Sequence, residues 1–161
     1  MIAEILRLVG ITFLPFLELR ASIPFGIWHY YDSLGWFGVF IVCVIANILI
    51  GILIFVLLRW IIRILTMIKP IERIWNRYVE RTRRKIHNAV EKYGEWAVIV
   101  FIGVPLPGSG VYSGALASFL IGLPFKKFII ADIIGVLIAG VLVTIASLTG
   151  TEILQIFMKN M

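Results

Sequence analysis

The sequence predicts an all-α integral membrane protein built as an inverted repeat. Each half is a re-entrant helical hairpin followed by a transmembrane helix, and an amphipathic cytoplasmic helix connects the halves. Three observations predict this. The hydrophobic fraction is 61% and the mean hydropathy is +1.03, whereas soluble domains are about 45 to 50% apolar. The apolar stretches come in two kinds, two long enough to span a bilayer and two of about half that length, broken by proline, glycine or charge. Finally, 12 of the 15 Lys and Arg residues fall between Arg59 and Lys127, flanking hydrophobic runs, which is the positive-inside signature of a cytoplasmic face.

Taken in order, the start Met-Ile-Ala-Glu-Ile-Leu-Arg lacks the charged n-region and cleavage site of a signal peptide, so none is expected. Leu8 to Leu17 is too short to span and meets Pro15, Glu18 and Arg20, so it pairs with Ala21 to Tyr31 as a hairpin. Non-helical backbone at such a tip must be buried in protein or line a wet cavity. Trp36 to Leu58 is an uncharged run of 23 residues ending in Arg59, Trp60 and Arg63, an interfacial anchor. Repeat 1 therefore covers about 1–65.

Residues from about 66 to 94 carry Ile71, Ile74, Trp75, Tyr78, Val79, Ile86 and Val90 at spacings near three and four, with the basic residues mostly elsewhere. Such a helix lies along the anionic cytoplasmic surface, where each basic side chain contributes roughly 1 kcal/mol. The plainer alternative is a connector packed on the bundle. Ala97 to Pro105 and Val111 to Leu123 form the second short pair, and Phe128 to Thr149 the second span, entered through Lys126 and Lys127. Repeat 2 covers about 95–161, and the whole chain is one membrane domain of the cell membrane.

A hairpin that enters and leaves on one side, followed by one span, crosses an odd number of times. Repeating the unit inverts the second copy. At an offset of about 85 residues, Phe40, Ala46 and Asn47 match Phe125, Ala131 and Asp132.

The chemistry concentrates at the tips. Glu18 and Arg20 are ionisable residues at membrane depth, which is costly and therefore functional by default. At an unwound tip both can face one cavity, Arg20 to hold a phosphate or carboxylate through bidentate hydrogen bonds and Glu18 to take up a proton. The structural alternative is mutual neutralisation, or Arg20 reaching to headgroups. Asp132 stands five residues past Lys127, roughly 7 Å deeper on a helix. Its counterpart Asn47 is polar and intramembrane too, and both are candidates for a shared cavity or for interhelical hydrogen bonding. In the second tip, Pro105, Pro107, Gly108, Ser109 and Gly110 leave backbone amides for an anion, with Ser109, Tyr112 and Ser113 as hydroxyl donors, or else make a tight turn.

Several classes are disfavoured. Cys43 is the single cysteine and has no partner for a disulfide or thiolate metal site. His29 and His87 stand apart, with Tyr30, Tyr31 and Trp36 making His29 part of an aromatic belt, so no metal, cofactor or hydrolase centre is expected. No glycine-rich nucleotide motif is present. The net charge of +6 is explained by the membrane face rather than by nucleic acid.

Phe-Leu-Pro-Phe-Leu-Glu-Leu-Arg-Ala-Ser-Ile-Pro (Phe13 to Pro24) and Val-Pro-Leu-Pro-Gly-Ser-Gly (Val104 to Gly110) resemble the small multidrug export protein family. The run from Gly122 to Gly135 is similar, more remotely, to the segment after the second hairpin in the DedA, or VTT-domain, superfamily. That resemblance implies facing re-entrant hairpins, an inverted repeat and translocation of lipid-linked phosphates such as undecaprenyl phosphate, with Glu18 and Arg20 matching the charged hairpin. DedA proteins typically carry arginines in the second hairpin, where this chain has Gly108, Ser109 and Gly110.

The leading expectation is a small secondary transporter or lipid-phosphate translocase, coupled to protons or another ion, rather than an enzyme. Alternatives are a proton-coupled exporter of lipophilic cations and a non-transporting membrane organiser. Partners are membrane lipids, an anionic lipid-linked phosphate or lipophilic substrate, and protons or cations. A homodimer would help so small a bundle bury its hairpins.

Overall fold

The computed structural model describes residues 1–15, 17–65, 93–105 and 109–159, and these are helical throughout apart from short turns. Helix α1 is Ile2–Thr12, α2 is Glu18–Leu65, α4 is Val111–Ile121 and α5 is Phe125–Lys159. Between them, α3 is Tyr93–Gly103. The basic connector at about 66–94 lies outside the described residues except for its last two.

Helix α2 is two helices in series. Tyr30 (φ −128°, ψ 18°) and Gly35 (φ 65°, ψ 165°) depart from helical geometry, and Gly35 takes a conformation that a side chain would obstruct. The break separates a first arm from the span, as the gap between Tyr31 and Trp36 predicts. The span continues to Leu65, past the anchor at Arg59 and Trp60.

Helix α1 and the first arm form an antiparallel hairpin. At its tip the Thr12 hydroxyl lies 2.7 Å from that of Ser22, which donates to the Glu18 carbonyl at 3.1 Å. At its far end Arg7 reaches the Tyr30 hydroxyl at 3.5 Å. The arm then folds back on the span, where a side chain on Gly26 would meet Val39 at 2.5 Å and Leu8 at 2.9 Å. The close approach buries Leu8, Ile23, Val39 and Cys43 completely.

In the second half α3 and α4 precede the long helix α5. Helix α4 ends on Gly122 (φ 77°), whose N–H donates to Phe119 at 3.0 Å while Leu123 donates to Ser118 at 2.9 Å, so a left-handed glycine closes the helix. Pro124 follows, and α5 begins. The spans of α2 and α5 run antiparallel, because Gly51 faces Asp132 whereas Gly140 faces Val44 and Phe40. One end of this contact is sealed by aromatic rings, with Phe55 stacked on the fully buried Phe128 at 4.5 Å and Phe119 and Phe125 around them. Near the same end Lys127 pairs with Glu95 of α3.

The long helices have apolar outer faces and polar residues within. Ile45, Leu49, Leu53 and Leu57 line the outside of α2, and Ile130, Ile134, Leu137, Ile138, Val141 and Ile145 the outside of α5. Cys43, Asn47, Asp132 and Thr144 are buried. A soluble helix has the opposite polarity. With both helices long and apolar enough to cross a bilayer, the chain is a membrane protein.

Candidate functional site

The turn between α1 and α2 meets the start of α4. Helix α1 ends in a tightened turn, with Phe13 donating to Val9 at 3.0 Å and Leu14 to Ile11 at 3.1 Å. Pro15 blocks continuation. The chain re-enters a helix at Glu18, whose φ of 47° is the sole positive value at a non-glycine residue among those described. Left-handed backbone costs a side-chain-bearing residue about 1 to 2 kcal/mol, so neighbouring contacts must hold Glu18 there.

Those contacts come from the other half. Helix α4 begins after Gly110, which has no side chain with which to cap its amides. Glu18 supplies the missing cap from about 90 residues away: Val111 N–H donates to its Oε2 at 3.1 Å, and Tyr112 N–H to its Oε1 at 3.5 Å. A carboxylate at a helix N-terminus also meets the positive end of the macrodipole. The carboxylate occupies the space that a Cβ on Gly110 would fill. Gly110 (φ −101°, ψ −166°) is in ordinary extended backbone, so room for Glu18, not backbone freedom, is what this position demands.

Arg20, in the first turn of the same arm, reaches Ser109. One guanidinium nitrogen donates to the Ser109 carbonyl at 2.7 Å and to its hydroxyl at 3.0 Å, and that hydroxyl donates to the Val104 carbonyl at 2.7 Å. A third link closes the junction, since the Tyr112 hydroxyl donates to the Phe13 carbonyl at 2.6 Å. Ser113 holds the turn itself, accepting from Gly110 N–H at 3.1 Å.

Asp132 of α5 and Asn47 of α2 are the other polar candidates. Both are buried, and neither the two carboxylate oxygens nor Asn47 Oδ1 has a hydrogen-bond partner among the described residues. Both Asp132 oxygens are 2.5 Å from where a Cβ on Gly51 would stand. Glu18 is within electrostatic reach of Asp132.

The model of the family described as "Putative small multi-drug export protein" matches residues 18–142. The chain belongs to this family. No curated protein and no solved structure matches it. The matched region starts at Glu18 and contains Arg20, Asn47, Ser109, Gly110 and Asp132, so the candidate site of this export-family chain lies inside the part the family shares.

Of the residues singled out by sequence, Glu18, Arg20, Ser109 and Gly110 come together directly, and Asp132 joins them through Glu18. Asn47 shares a helix face with Gly51, one turn away. Pro105 is exposed beyond the end of α3, and Pro107 and Gly108 lie outside the described residues. Of the amides expected to await an anion, that of Gly110 is engaged by Ser113, and those of Val111 and Tyr112 just after it by Glu18. Sequence reasoning did not find the roles of Val111, Thr12, Ser22 and Gly51. For Val111 a signal existed, namely a helix start following an uncapped glycine; for Gly51 opposite Asp132 none did.

Proposed function

We propose that this export-family chain is a small secondary transporter of the cell membrane that exchanges lipophilic cations for protons where two re-entrant tips meet. The observation that carries the reading is the cap of α4 by Glu18. It joins the two halves by bonds whose strength depends on the charge of one carboxylate. A cation drawn to Glu18 competes with the α4 amides, loosens the junction and favours the conformation in which the tips part. A ligand shifts such an equilibrium only through differential binding to its two states, and this contact provides the difference.

The acidic balance favours a cation as cargo. Glu18 and Asp132 are both buried, while Arg20 is turned to Ser109. A lipid-linked phosphate, which the DedA resemblance suggests, would have to take Arg20 from Ser109 and displace Glu18 from α4. The matching element order and the antiparallel spans support an inverted repeat, and rocking of the halves about the tip junction supplies alternating access.

The test is transport into liposomes. Purified protein should drive tetraphenylphosphonium accumulation under an imposed pH gradient, Glu18→Gln should abolish it, and a second lipophilic cation should compete. Wild-type rates in E18Q would sink the proposal, and inhibition by a polyprenyl phosphate but not by cations would replace the cargo with an anionic lipid.

A further inference from the structure

We infer that Asp132 carries the exchanged proton and that Glu18 is the latch between the halves, a division of labour that rests on the transport reading above. The two acids sit in opposite surroundings. Glu18 accepts two backbone N–H groups at the start of α4. Asp132 is fully buried with neither oxygen bonded among the described residues. A bare carboxylate in such a place is very costly, and the group is stable there with a proton or a cation upon it.

Among the described residues no cation is seen to act on Asp132, and Arg20 of α2 is held at Ser109. From α2 the charged group in electrostatic reach is Glu18, of like sign. Helix α4 brings only Tyr112 as a titratable group, and its hydroxyl is given to Phe13. Helix α3 brings Glu95, which pairs with Lys127 near the end of the bundle; Lys126 and Lys127 stand six and five residues before Asp132 on its own helix. A calcium or magnesium ion takes about six or more oxygens, and no group of three or more His, Cys, Asp or Glu side chains able to hold a metal stands among the described residues. A proton needs one oxygen. The missing side chain at Gly51 makes the cradle, since a Cβ there would lie 2.5 Å from both carboxylate oxygens.

Two acids whose environments differ this much take different parts in a proton-coupled reaction. Only proton transfer is involved: the O–H bond of the Asp132 carboxylic acid breaks, the proton passes to water on the open side, and a carboxylate remains to face the entering cation.

Infrared spectroscopy of the full chain in lipid tests this without any transport measurement. Wild-type protein should show a carboxylic-acid C=O stretch that titrates with pH, lost in Asp132→Asn and retained in Glu18→Gln. Gly51→Ala, which forces a methyl against the carboxyl, should shift the titration of the same band and serves if D132N does not fold. Tetraphenylphosphonium added to weakly buffered protein should release protons from wild type and none from D132N. A band lost in E18Q and kept in D132N, no titrating band in wild type, or an unshifted band in G51A overturns the inference. A titrating Asp132 band in protein that moves no cation overturns the transport reading and leaves the proton site standing.

Discussion

Substituting Gly110 by alanine tests the cap at its narrowest point. The backbone there is extended and accepts alanine without strain, so the entire effect comes from the methyl group, which takes the space of the Glu18 carboxylate. Displacing that carboxylate breaks the 3.1 Å bond from Val111 and the longer 3.5 Å bond from Tyr112. A hydrogen bond to a charged group contributes about 1.5 to 3 kcal/mol, and the second bond is too long to add much. Removing a glycine restricts the unfolded chain and returns about 0.4 to 1 kcal/mol. The expected net loss is therefore ~0.5 to 2.5 kcal/mol, read by equilibrium unfolding in mixed micelles with tryptophan fluorescence. Gly10→Ala is the matched control, because nothing lies within 4 Å of its Cβ and it should stabilise α1 by about 0.5 to 1 kcal/mol. If G110A and G10A unfold together, the cap does not hold the halves and the reasoning fails.

Further outcomes follow from the same geometry. Phe128→Ala removes a fully buried ring stacked on Phe55 at 4.5 Å and should cost ~3 to 5 kcal/mol in the same unfolding assay. Gly122→Ala forces a side chain onto a φ of 77° and should cost ~1 to 2 kcal/mol. Arg20→Lys keeps the charge but replaces the guanidinium nitrogen that donates to both Ser109 oxygens by a shorter ammonium; cation uptake should fall about tenfold, the effect of one lost charge-assisted bond of ~1.5 kcal/mol. Thr12→Val leaves Ser22 without its 2.7 Å hydroxyl neighbour and should destabilise by ~1 kcal/mol.

Much of the architecture is legible in the sequence because the bilayer restricts what a short apolar run can be. Val111 to Leu123 and Val111–Ile121 differ by two residues, because the left-handed Gly122 ends the helix, and the break before Trp36 coincides with Gly35. The first hairpin arm is less well placed: the apolar run starts at Leu8, whereas α1 starts at Ile2, because Glu4 and Arg7 interrupt hydropathy without interrupting the helix. Charge at depth marks Glu18, Arg20 and Asp132. It does not say which partner each meets, since Glu18 to Val111 and Asp132 to Gly51 are contacts between distant segments. The positive φ of Glu18 is hidden for the same reason, being imposed by what the carboxylate reaches.

The cap from Glu18 to α4 also bears on how the protein is made. Residue 18 enters the membrane long before residues 111 and 112 have been synthesised, so the first half waits with a carboxylate whose intended donors do not yet exist. Assembly is then completed from the C-terminal side, when the second tip arrives and takes up that charge.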